Sequence, residues 1–255
     1  MKYRLILLFI FFSVSLIGQE AAPGAAVEAA NQAQMPQIAT QLAVLAGLSL
    51  LPFAVMLLTS FLKIVVVLGL MRNALGVQQS PPNQAINGIA ILMTVYVMFP
   101  TGLAMYNASQ SVIQNKAPTQ LVSPQTAEYL IEIVEAGKEP LRQFLLRNTI
   151  AKHQQSFYEL AYKSFPEKFK PSLNRNDFIV LVPAFITSQL KSAFEIGVLI
   201  YLPFFVIDLV TSNILLAMGM MMLSPLTIAL PLKLLLLVMV DGWTLVIQGL
   251  VLTYH

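Results

Sequence analysis

Lys191, Glu195, Asp208, Lys233 and Asp241 stand one by one in a run, residues 184–243, that is otherwise almost wholly apolar. A charge in lipid-like surroundings costs roughly 2.5–3.5 kcal/mol on insertion scales, so such groups face protein or water and have a task. Lys191 and Glu195 are four apart and share one helix face, which suits a pair within the helix or a pair with a neighbouring helix or subunit. Asp208 and Lys233 are too distant in sequence for a local contact. They can satisfy each other, a group on another subunit, or water in a channel; an unpaired buried charge is costly. Two acids in an apolar run also raise intramembrane aspartyl proteolysis. Asp208 lies in Val206-Ile207-Asp208-Leu209 and Asp241 in Val240-Asp241-Gly242-Trp243, without the tyrosine or glycine setting that such chemistry uses. No phosphate loop, nucleophile elbow or HExxH motif is present, so the residues point to no enzyme and no cofactor.

The same run carries Met218-Gly219-Met220-Met221-Met222, then Ser224-Pro225 and Leu230-Pro231. Met220, Met221 and Met222 would point about 100° apart on a helix. Taken alone, they read as flexible core filler. The other reading is a soft constriction that re-packs around irregular cargo. Gly219 and Pro225 permit the non-helical backbone that such a loop needs, and Pro203 and Pro231 are further places for a bend.

The elements that must hold these residues are apolar helices. The 255 residues are 57% hydrophobic and 11% charged, against about 25% charged in a soluble domain, so the expected class is an all-α membrane protein. The net charge of +3 forms no basic stripe, which argues against nucleic acid. With no cysteine, disulfides and thiolate metal sites are excluded. The two histidines, His153 and His255, lie far apart and do not suggest a metal site. Lys2 and Arg4 followed by an apolar stretch from 5 to 17 read as a secretory signal over residues 1–18, with an uncleaved anchor as the rival. An Ala/Gln-rich tether over 19–41 follows.

Four apolar blocks come next. The first two, residues 42–71 and 85–106, are long enough to span a bilayer and are separated by Gly76 and Pro81-Pro82. They make one unit over 42–106. Residues 107–177 differ in kind, with 16 of the chain's 27 Asp, Glu, Lys and Arg residues. Prolines at 124 and 140 suit first turns of helices. Two or three short amphipathic helices are expected, forming a water-facing unit on the periplasmic side. The last two blocks make up 178–255. The third, 178–222, is long for one span, and Pro183, Gly197 and Pro203 suggest a hairpin or broken helix there.

Several motifs together resemble one family. They are Thr59-Ser60-Phe61-Leu62-Lys63, Leu70-Met71-Arg72-Asn73-Ala74-Leu75-Gly76, Pro81-Pro82-Asn83, Leu181-Val182-Pro183-Ala184-Phe185, Ala193-Phe194-Glu195-Ile196-Gly197, Asp208-Leu209-Val210, the methionine cluster, Leu230-Pro231-Leu232-Lys233 and Asp241-Gly242-Trp243. The chain is identified by them as similar to the FliP/SctR family, the core export-gate subunit of type III secretion, over roughly 42–253. The resemblance implies several copies of this chain assembling into a helical gate with FliQ/SctS-like and FliR/SctT-like subunits. FlhA/SctV-like and FlhB/SctU-like proteins would dock nearby. Unfolded secreted proteins would pass through, in the bacterial inner membrane and within the secretion basal body. It also implies that Met220, Met221 and Met222 form a gasket around the pore, which reverses the core-filler reading. Phe194-Glu195-Ile196-Gly197 with Leu199–Pro203, and 212–218, resemble the virulence branch, which is favoured, whereas a cleavable signal is commoner among flagellar members. A secondary transporter with midplane charges is the competing class; it should show an internal repeat, and none is visible.

Overall fold

The computed structural model describes residues 45–47, 49–77, 80–115, 124–220 and 222–254. The expected signal over 1–18, the tether over 19–41 and Met221 lie outside them. Among the described residues all regular structure is helical. We label the helices α1 (Ser49–Leu58), α2 (Phe61–Leu75), α3 (Asn83–Asn115), α4 (Pro124–Arg147), α5 (Ala151–Ser164), α6 (Phe178–Ala217), α7 (Pro225–Met239) and α8 (Gly242–Leu252). A short 3-10 helix, Glu167–Ser172, precedes α6.

Helix α2 is the centre of the packing. Ile64, Val67 and Leu68 pack with Ile86 and Ala90 of α3, Ala193 of α6 and Leu250 of α8. Met71, Ala74 and Leu75, one and two turns further on, meet Phe204 of α6 and Leu237 of α7. Between membrane helices the gain from these contacts is close van der Waals packing rather than transfer out of water. Helix α6 can lie close to α2 because Ala193 and Gly197, four apart, put small residues on one face. A methyl group at Gly197 would come 2.2 Å from Leu70 Cδ1. Gly197 is therefore a packing residue and not a bend.

The third apolar block is one continuous helix of 40 residues, α6, which corrects the expected hairpin. Pro183 lies near its start, where Thr187 Oγ1 donates to the Pro183 carbonyl at 2.9 Å. Pro203 lies inside α6 and Pro231 inside α7, and neither ends its helix. Tertiary packing on α2 outweighs the local cost of the lost hydrogen bond. The bends fall elsewhere: α1 and α2 meet at 68°, and α7 and α8 at 61°. Asp241 occupies the second break at φ 50, a left-handed conformation that aspartate tolerates better than most residues.

Among the described residues two helices, Asn83–Gln110 and Phe178–Ala217, are long and apolar enough to cross a membrane, and up to four spans result if each bent pair counts as one. At 1.5 Å per residue α6 is about 60 Å long, twice the hydrocarbon thickness of about 30 Å. Val180, Leu181, Ala184, Phe185, Ser188 and Gln189 of its first half are buried, whereas most large apolar side chains from Phe194 to Leu216, Phe204 and Leu215 apart, are exposed.

The polar stretch folds on this framework. Pro124 begins α4, as expected, but Pro140 lies inside the same helix and starts none. Phe144 and Leu145 of α4 pack with Leu181 and Phe185 of α6. The exposed face of α4 carries ion pairs within the helix, Lys138–Glu135 and Arg142–Glu139.

Candidate functional site

The methionine loop joins α6 to α7, and its backbone is fixed by how α6 ends. Gly219 adopts φ 72, and the Gly219 amide donates to Leu216 O and the Met220 amide to Leu215 O, both at 3.0 Å. This is the Schellman pattern, in which a left-handed residue closes the last helical turn. Pro225 restarts the chain as the first residue of α7. Gly219 and Pro225 thus bound the loop. Met220 is 42% exposed and Met222 fully exposed, so two of the three expected gasket side chains project from the chain. Unbranched thioethers without an internal partner suit a soft, re-packing contact.

Behind this loop, Lys233 is 3% exposed and its Nζ lies 2.7 Å from Asp208 Oδ2. The same ammonium donates to the Ala74 carbonyl at 3.1 Å. That carbonyl is among the last of α2, which has no intrahelical donor to offer them. A cation is also favoured there by the helix dipole. One side chain of α7 therefore ties α6 and α2 together. Gly76 ends α2 at φ 78, and a methyl on it would lie 3.9 Å from Lys233 Nζ and 3.2 Å from Leu226 Cδ1. The turn leaves room for the lysine.

The other charges stand apart. Lys191 and Glu195 form an exposed pair at 3.5 Å on one face of α6. Asp241 is exposed at the α7–α8 break and accepts from Thr244 Oγ1 at 2.9 Å. Asp241 was expected to pair inside the protein or with another subunit; within this chain its exposed side chain serves the bend.

A polar network that the sequence reading did not single out joins α2, α6 and the end of the chain. Lys63 is 3% exposed, and its Nζ donates to Thr253 Oγ1 at 3.0 Å and lies 3.9 Å from the centre of the Tyr254 ring. A desolvated cation over an aromatic face gains about 2 kcal/mol. The Tyr254 hydroxyl donates to Gln189 Oε1 at 2.8 Å, and Gln189 Nε2 donates to the Asn148 carbonyl at 2.7 Å. Burial holds the Tyr254 phenol well above its ordinary pKa, so it stays a donor. Next to Gln189, Ser188 Oγ donates to Ala184 O at 2.7 Å and accepts from the Ile150 amide at 3.0 Å. His153 Nδ1 sits 2.9 Å from the same oxygen. With the hydroxyl proton already committed, Nδ1 is the donor. The sequence signal was available: Ser188-Gln189 interrupts an apolar helix face just as Lys191 does, and buried polar groups need partners.

The FliP family profile matches residues 44–250 of the chain. Among curated proteins, the chain is 46% identical to the Yop proteins translocation protein R of Yersinia pestis, over 87% of this chain and 98% of that protein. It is 42% identical to the hypersensitivity response secretion protein HrcR of Ralstonia nicotianae, over 87% of this chain and all of the relative. It is 44% identical to the virulence protein YscR of Salmonella typhimurium, over 81% and 92% of the two chains. The profile covers most of the chain and these relatives are 42–46% identical to it, and the chain belongs to the FliP family.

Proposed function

We propose that the chain is the core pore-forming subunit of a virulence type III export gate, passing unfolded proteins across the bacterial inner membrane. The observation that carries this reading is the methionine loop: Met220 and Met222 project from a turn that Gly219 fixes between two apolar helices. Several copies, each contributing Met220, Met221 and Met222, would ring the pore as a gasket. Copies of this chain would assemble with FliQ/SctS-like and FliR/SctT-like subunits, with FlhA/SctV-like and FlhB/SctU-like proteins nearby. Residues 107–177 would lie on the periplasmic side. The exposed apolar faces of α3, α6 and α7 exceed what a water-soluble chain leaves uncovered. Lipid and neighbouring subunits are the available cover.

The test is native mass spectrometry of the chain extracted in mild detergent after co-expression with both partner subunits. A discrete complex with several copies of this chain is the expected result; a bare monomer overturns the reading. Replacing Met220–Met222 together by Ala should then leave the complex intact but leaky to small ions, and an assembled, tight variant would rule out the gasket.

A further inference from the structure

We propose that the cavity between α3, α4 and the segment after α8 receives an acidic side chain from a helix of a neighbouring subunit; this rests on the assembly reading above. The cavity has a volume of about 630 Å³. Its polar lining comes from Thr101, Gln143, Arg147, Asn148, Thr253 and Tyr254, and no aspartate or glutamate lines it. Arg147 and Gln143 are four apart, so both project from one face of α4.

Neither side chain has a hydrogen-bond or ion-pair partner among the described residues. Arg142, five residues earlier, pairs with Glu139 at 2.7 Å, whereas Arg147 is exposed at the cavity and pairs with no carboxylate among the described residues. A second cation backs the same wall. Lys63 reaches Thr253 Oγ1 at 3.0 Å and lies under the Tyr254 ring, and among the described residues no carboxylate comes within salt-bridge distance of it. One positive group, Arg147, therefore lines a recess that offers no negative one, and Lys63 lies buried behind its Tyr254 wall.

The ligand chemistry follows. A guanidinium presents a planar fork that matches a carboxylate with two parallel hydrogen bonds, and the Gln143 amide adds a third donor. The remaining walls are apolar, from Val97, Ala104 and Phe144, which suits the flank of a helix carrying that acid better than a free hydrated anion. Contacts of this kind fix register between partners, and reversing one charge puts like charges together.

The experiment uses the full chain co-expressed with its partner subunits. Arg147→Glu is expected to lower the recovered complex about tenfold or more relative to free chain, and Arg147→Lys to lower it less than about threefold. In the Arg147→Lys complex, a carbodiimide should form a zero-length amide at position 147, and peptide mass spectrometry should place its other end on an Asp or Glu of another subunit. Wild-type yield for Arg147→Glu overturns the proposal. So does an amide found only within the same chain, or none at position 147. Intact assembly of Arg147→Glu with loss of co-purified phospholipid assigns the cavity to a lipid phosphate and overturns it too. If the wild-type chain forms no complex, the assembly reading falls first, and the docking site with it.

Discussion

Lys233 Nζ and Asp208 Oδ2 lie 2.7 Å apart, with the lysine 3% and the aspartate 35% exposed. The pair is asymmetric. Its cation is sealed between three helices and also caps the Ala74 carbonyl, while its anion keeps an edge open. Removing the lysine strands a carboxylate that solvent or a neighbour can still reach, whereas removing the aspartate leaves a sealed ammonium with a single backbone acceptor.

That asymmetry predicts the order of damage. Asp208→Ala should destabilise the chain by about 3 kcal/mol or more, because an uncompensated buried charge remains. Lys233→Met should cost less, about 1–2 kcal/mol, since its stem is replaced and Asp208 re-solvates. Thermal unfolding in detergent checks this; Lys233→Met the more damaging of the two would contradict the assignment of which partner is sealed.

Tyr254 combines two separable contacts. Tyr254→Phe loses the bond to Gln189 but keeps the ring over Lys63, and should cost about 1 kcal/mol. Tyr254→Leu loses both and should cost about 2 kcal/mol more. Equal losses for the two variants would remove the ring's role in holding the Lys63 ammonium.

Gly197→Ala should cost about 1–3 kcal/mol through overpacking against Leu70. A smaller residue at position 70 should relieve it, so Gly197→Ala with Leu70→Ala should be more stable than the sum of the two single changes implies. Strict additivity in a double-mutant cycle would mean that the two side chains do not meet.

Gly219→Val should cost about 1–2 kcal/mol, because a β-branched residue resists positive φ. It should also move Met220 by opening the Schellman turn. Asp241→Asn, by contrast, should be nearly silent, since asparagine shares the left-handed tolerance, while Asp241→Val should not. Circular-dichroism melts of the three variants decide it; a silent Gly219→Val would mean that the loop does not need that turn.

The sequence by itself determined the class, the helical blocks and the special positions. A long apolar run with few charges satisfies its backbone polar groups within its own segment only as a helix, and it lacks the alternation of a barrel strand. Gly219 and Pro225 were legible as loop boundaries because their backbone limits are local. Only the tertiary structure decided which prolines interrupt a helix. Pro140, Pro203 and Pro231 stay inside theirs, since packing against neighbouring helices outweighs one lost hydrogen bond. It alone decided that Gly197 serves a close approach, that Lys233 meets Asp208, and that Lys63, Tyr254 and Gln189 form one network. Those partners are separated by 25 to 191 residues along the chain, and pairing at such distance depends on how α2, α6 and α7 dock, which no local pattern encodes.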